Sequence, residues 1–109
     1  MANVYGEAFQ KVYRDEPKEF VTGRSHAEIF LEQDRVASAT ASDRVFFGKI
    51  PTGSQIYNFR TKNGVSISLE DEAGNPLAEG DVTSSEVTVV AIPAAALSND
   101  IVYLEYLQN

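Results

Sequence analysis

Few side chains in this sequence could do covalent chemistry, and their spacing narrows the choice further. His26 is the one histidine, and there is no cysteine. A histidine base needs an activated hydroxyl and an orienting carboxylate, and nothing in the sequence marks such a set. No G-x-S-x-G element occurs, and His26 falls where an expected strand begins, a place where a solvent-facing imidazole is the ordinary case. The dense carboxylate group is Glu70-Asp71-Glu72, followed by Glu79 and Asp81. Calcium takes about six to eight oxygens, usually from alternate positions of a glycine-pinned loop. Asp71, Gly74 and Asn75 lack that spacing, and three acids in a row point alternately. A solvated turn is the simpler reading, with a weak cation site around Glu70-Asp71-Glu72 as its alternative. Glycoside hydrolysis would need one carboxyl in an apolar pocket, and these lie in a polar stretch.

The remaining motifs are fragments. Gly48-Lys49 and Gly53-Ser54 look like pieces of a phosphate loop, but the G-x-x-x-x-G-K-[ST] spacing is missing. Gly48 inside a strand marks a bulge or a close backbone approach instead. Arg44, Lys49, Arg60 and Lys62 fall around two neighbouring expected strands and could form a local cationic patch. With no aromatic stacking platform beside them, they do not read as a nucleic-acid site. Without thiols there is no disulfide framework and no thiolate metal site. The expectation is a protein with no catalytic, metal-ligating or cofactor-binding residue, hence no cofactor and no enzymatic activity.

Length and charge agree with that. The chain has 109 residues, 16 of them acidic and nine Lys or Arg, for a formal net charge of −7. One domain is expected, with a core of modest size. The acidic balance repels nucleic acid and anionic membranes, so neither is an expected partner. No signal-peptide pattern and no apolar run of roughly 20 residues is present, which points to a soluble protein made in the cytoplasm.

The elements that would carry these residues are strands. Residues 1–24 mix charges with the scattered aromatics Tyr5, Phe9, Tyr13 and Phe20. They read as an extended N-terminal arm whose aromatics form a protein interface, the alternative being a first strand and loop of the same domain. Residues 25–109 read as the β-domain. Segment 27–36 favours a strand over a short helix. Arg44–Ile50 is a clearer strand, ended by Pro51 and a Thr52-Gly53-Ser54 turn. In Gln55–Thr61, strict alternation would place Tyr57 and Phe59 on one face, where with Phe46 and Phe47 they would supply much of the core. Lys62-Asn63-Gly64 predicts a tight hairpin pairing the strands on either side. Val65–Leu69 alternates apolar with serine, as a half-buried strand does. Residues 70–76 form a loop or second hairpin connection. Glu86–Ile92 and Ile101–Leu107 are apolar on both faces and belong mid-sheet or at an interface. Pro93–Leu97 predicts one helical turn, and Ser98-Asn99-Asp100 a polar turn. The sum is an all-β sandwich of jelly-roll or Greek-key kind with an N-terminal arm. Its apolar surplus predicts an obligate assembly, a homo-oligomer such as a dimer or trimer, or a larger partner.

Two stretches carry a likeness. Residues 36–56 (VASATASDRVFFGKIPTGSQI) run from small residues to Asp43, an apolar strand with Gly48, then Ile50-Pro51-Thr52-Gly53 and another apolar strand. Residues 87–106 (VTVVAIPAAALSNDIVYLEY) run from a strand through an Ala-rich linker to a last strand ending near a tyrosine. Together they resemble small virion proteins of tailed bacteriophages, above all the capsid decoration or cement proteins. The resemblance implies a β-sandwich seated on the major capsid protein at the virion surface. Its motifs are short and do not reach residues 1–25. Another virion component (head–tail connector, neck or tail-fibre protein) and a carbohydrate-binding β-sandwich module are the alternatives.

Overall fold

A computed structural model describes residues 2–7 and 28–108, and over these the chain is built from strands. In order they are β1 (Asn3–Tyr5), β2 (Glu28–Ala39), β3 (Arg44–Ile50), β4 (Gln55–Thr61), β5 (Ile67–Asp71), β6 (Pro76–Leu77), β7 (Val87–Pro93) and β8 (Leu97–Gln108). One sheet has five strands in the order β1-β3-β7-β5-β6, the other three in the order β2-β8-β4. Every pairing is antiparallel except β1 with β3. The all-β, sandwich-like architecture expected from the sequence is therefore present.

The two strands that are apolar on both faces lie mid-sheet, β7 between β3 and β5 and β8 between β2 and β4. Alternation along a pleated strand sends every second side chain between the sheets. The core so formed takes Leu97, Val102, Leu104 and Tyr106 from β8, Val89 and Ala91 from β7, and Phe47, Ile50 and Ile56 from the strands beside them. Each large side chain fully buried there contributes about 1.5–3 kcal/mol. The outer face of the larger sheet is covered as well: Phe46 and Val90 are buried, with Tyr5 and Ile92 packed against them.

Bulges decide which residues join this core. Between Ile56 and Asn58 the register against β8 slips by one residue. Phe59 thereby shares the inward face with Ile56, and Tyr57 is turned outward, 51% exposed. The expectation that Tyr57 sits in the core with Phe59 is corrected, since one inserted residue inverts the alternation beyond it. A second slip, between Phe46 and Gly48, brings both Phe47 and Ile50 inward.

Three other expectations also change. Asn63-Gly64 does not close a hairpin: β4 and β5 lie in different sheets, and the turn is the corner between them. Gly64 has φ +81°, but Asn63 is not left-handed, so the turn is not of the mirror-image type that a two-residue hairpin needs. Lys62 N–H donates to Ile101 O (2.9 Å), extending the contact of β4 with β8 rather than turning back on β4. Pro93–Leu97 is a bend, not a helical turn; Ala94 N–H donates to Ser66 O (2.9 Å), which keeps the chain on β5 until it changes sheets. Ser98-Asn99-Asp100 lies inside β8, because Leu97 and Ser98 pair with Ala39 and Ser38 of a β2 longer than expected. The hairpin connection over residues 70–76 is present as the β5–β6 turn, with Gly74 at φ +94°.

At the N-terminus, Asn3–Tyr5 forms an edge strand of the larger sheet, so this part of the expected arm belongs to the domain. Phe9, Tyr13 and Phe20, with all of residues 8–24 of the expected arm, lie outside the described residues.

Two glycines explain how the sheets approach each other along β2. Gly48 faces Glu32, and a Cβ there would meet Glu32 Oε2 at 2.6 Å. Gly6 faces Asp34 more closely, since a Cβ would meet Asp34 Cβ at 2.7 Å as well as the carboxylate. The Glu32 carboxylate ends a flexible chain and can swing aside, whereas Asp34 is short and cannot. Gly6→Ala is therefore expected to destabilise by about 1–3 kcal/mol and Gly48→Ala by less. Urea unfolding of the two variants checks the order, and equal effects would contradict it.

Candidate functional site

Where the sequence pointed to chemistry, the structure mostly shows scaffolding. His26 lies outside the described residues. The carboxylate group around Glu70-Asp71-Glu72 is a braced turn. Asp71 Oδ1 accepts from Asn75 N–H (2.8 Å) and Oδ2 from Asn75 Nδ2 (3.0 Å). These bonds, the side-chain one foremost, hold the Asp71 carboxyl below the usual carboxylate range. Arg44 closes the turn from β3. Its guanidinium pairs with Glu70 Oε2 at 3.1 Å and donates to the carbonyls of Asp71 (3.2 Å) and Glu72 (2.8 Å). It also lies over the Phe46 ring, 5.3 Å from the centroid. Among the described residues no group of three or more His, Cys, Asp or Glu could hold a metal ion, and no helix is long and apolar enough to cross a membrane.

The expected cationic patch is divided. Arg44 and Lys49 belong to the five-stranded sheet, while Arg60 lies on the three-stranded sheet and Lys62 directly follows its strand β4. Gly53-Ser54 serves the fold. The Ser54 hydroxyl lies 2.7 Å from Pro51 O and 3.0 Å from Gln108 Oε1, with one proton to share between them. Thr83 Oγ1 donates to Pro51 O (2.9 Å), and Gln108 Nε2 donates to Thr52 O (3.3 Å). This polar knot fastens the end of β8 to the turn after β3. A cleft of about 270 Å³ opens near the Asn63-Gly64 corner, lined by Phe59, Arg60, Thr61, Val65 and Ile67 among others. Its one charged lining group, Arg60, is bonded to Glu105.

Sequence reasoning missed the buried carboxylates. Glu32, Asp34, Asp43 and Asp100 are all buried. Asp100, fully enclosed at the Asn63 corner, accepts through Oδ1 from Asn63 N–H (3.0 Å) and Ile101 N–H (2.8 Å), while Oδ2 has no hydrogen-bond partner. Asp43 accepts from Thr40 N–H (2.9 Å) and Ala2 N–H (3.2 Å), so it closes the β2–β3 turn and moors β1. Acids in polar-looking loops carry no local mark of such partners. Glu32 and Asp34 carry no local signal either, since residues 29–36 (IFLEQDRV) run from apolar to polar without alternating, and their burial follows from pairing with β8.

That burial shapes the surface. Because Glu32, Asp34 and Val36 face inward, Ile29 (55% exposed) and Leu31 (48%) face outward. The register then lays out rows across the outer face of the three-stranded sheet. Ile29 stands beside Leu107 and Gln55, Leu31 beside Glu105 and Asn58, Gln33 beside Tyr103 and Arg60, and Arg35 beside Ile101. Arg60 pairs with Glu105 and covers one side of the Tyr103 ring, 4.6 Å from its centroid. A flat face results, apolar at one end and cationic at the other.

Two anchors can be tested directly. Asp100→Ala removes the acceptor of two partly buried N–H groups, those of Asn63 and Ile101, and is expected to cost about 1–3 kcal/mol. Asp100→Asn keeps that acceptor but sets an unpartnered amide nitrogen where Oδ2 stands, and should fall between the parent and the Ala variant. Chemical denaturation ranks the three proteins, and an Asn variant as weak as the Ala variant would contradict this account. Asp43 is held below its ordinary value of 3.8, first by Thr40 N–H and then by Ala2 N–H. A depressed carboxylate stabilises above its unfolded pKa and loses that contribution as pH falls through the folded value. Acidification below pH 3.8 should therefore release β1. Asp43→Ala should release it at neutral pH, read as loss of the ring-current shifts between Tyr5 and Phe46, whose centroids lie 5.0 Å apart.

No protein-family model matches this chain, and neither a curated protein nor a solved structure matches it.

Proposed function

We propose that this protein is a capsid decoration or cement protein of a tailed bacteriophage, a sandwich of jelly-roll or Greek-key kind that binds the major capsid protein on the virion surface and acts by adhesion rather than catalysis. The observation that carries the reading is the inverted strand β2, which holds Ile29 and Leu31 out to solvent on a braced sheet while burying Glu32 and Asp34. A monomer gains nothing from that arrangement, since about 25 cal/mol of stabilisation is forgone for each Å² of apolar surface left wet. An adhesive protein gains a preformed apolar contact. The stretches that carry the resemblance supply the frame behind it: residues 36–56 include the Asp43 mooring, the Gly48 bulge and the Pro51–Ser54 knot, and residues 87–106 the two central strands.

A cement protein needs rigidity more than a cleft, and clamping neighbouring shell subunits favours the shell by mass action. A carbohydrate-binding face is less well supported. It would need open aromatic rings, and of the two tyrosines on this sheet's outer face Tyr103 has Arg60 laid across it.

The expected result is saturable binding of the purified protein to expanded phage shells assembled without it, at a fixed ratio to capsid subunits, with a higher temperature of shell rupture. Co-sedimentation and light scattering measure both. Shells that neither take up the protein nor gain resistance would refute the reading.

A further inference from the structure

Resting on that reading, we propose that the outer face of the three-stranded sheet is the docking surface, and that its partner is an acidic, partly apolar protein surface of the capsid shell. The argument is one of charge distribution. The chain as a whole carries −7, yet the three strands of this face set one described carboxylate, Glu105, among Arg35 and Arg60, and a second, Glu7, reaches Arg35 from beyond β1. Lys62, whose N–H is bonded to Ile101 O, stands at the same end of the sheet as Arg35. Glu105 is engaged by Arg60. Arg35 is steadied by Asn99 Oδ1 (3.1 Å) and approached by Glu7 at 3.7 Å, with both charged side chains about 60% exposed. Such an exposed pair is weak and exchanges readily for a better partner. Lys62 has no ion pair among the described residues. At the other end of the same rows stand Ile29, Leu31 and Tyr57, each about half exposed.

The polarity of the face selects its occupant. If two copies packed face to face about a two-fold axis along β8, Arg35 of one copy would meet Lys62 of the other. An axis across the strands would set Arg35 on Ile29 and Lys62 on Gln55. In either case the positive charges lose water without gaining counter-charge, which is unfavourable. A surface with an apolar ridge and carboxylates beyond one end satisfies both halves at once, the apolar half supplying affinity and the charged half orientation and association rate.

The test uses full-length protein, shells assembled without it, and three variants: Ile29→Thr/Leu31→Thr, Arg35→Glu/Lys62→Glu, and the remote control Glu79→Gln. All substituted residues are exposed, and circular dichroism confirms that each variant folds. The threonine pair is expected to weaken shell binding tenfold or more. The charge-reversed pair should slow association and flatten its dependence on salt, and the control should bind as the parent does. A parent that binds shells while both pairs bind equally well overturns this docking surface and leaves the cement reading intact. A parent that binds no shell overturns both. A parent dimer in sedimentation that the threonine pair dissolves, with shell binding unchanged, assigns the face to a second copy and overturns the proposal.

Discussion

Strand β8 is the constraint on which the rest depends. It is the central strand of the smaller sheet, hydrogen-bonded to β2 on one side and β4 on the other. Its alternate residues Val102, Leu104 and Tyr106 fill the space between the sheets. Both ends of that inward series are polar and tied down, Asp100 to the Asn63 corner and Gln108 to the Pro51–Ser54 turn. A strand fixed at both ends and packed along its middle cannot slide, and side-chain period two means that a slip of one residue would exchange its faces. The outward set Ile101, Tyr103, Glu105 and Leu107 is therefore held as firmly as the core.

That rigidity makes sense of β2. Judged by hydrophobicity alone, a one-residue shift would bury Ile29 and Leu31 and release Glu32 and Asp34 to water. The observed register is maintained from elsewhere: Val36 and Ala39 are in the core, and β2 is paired with β8 along nearly its whole length. The carboxylates fit because Gly48 and Gly6 leave room opposite them. Places where local preference and tertiary arrangement disagree are where function is most often found. Here the disagreement creates an exposed apolar row on a stiff support.

The two sheets manage their outer faces differently. On the larger one Phe46 and Val90 are covered, and Arg44 spans from β3 to Glu70 on β5, bracing the sheet across β7. On the smaller one the corresponding side chains stay half in water, with cations gathered toward one end. The acidic turn at residues 70–75, the densest charge in the sequence, turns out to be an internally satisfied corner. Its neighbours on the same sheet explain it fully.

By itself, the sequence determined what depends on neighbours along the chain: an all-β composition, most strand positions, a turn at 70–76 that could be a loop or a hairpin, and two strands apolar on both faces that belong mid-sheet or at an interface. These follow from period-two patterning and turn residues, which act within a few positions. Tertiary structure alone decided the faces and the partners. It placed Tyr57 outward through a bulge, made Asn63-Gly64 a corner between sheets, drew Ser98–Asp100 into β8 and set Ile29 and Leu31 outward over buried acids. Each of these outcomes rests on a hydrogen bond or a register set by residues distant in sequence, and a single inserted residue on either strand reverses which side chains meet the core. The candidate surface was illegible for the same reason: its rows bring together residues 29–35, 55–62 and 101–107, which share no local pattern and become neighbours only when β8 pairs on both edges.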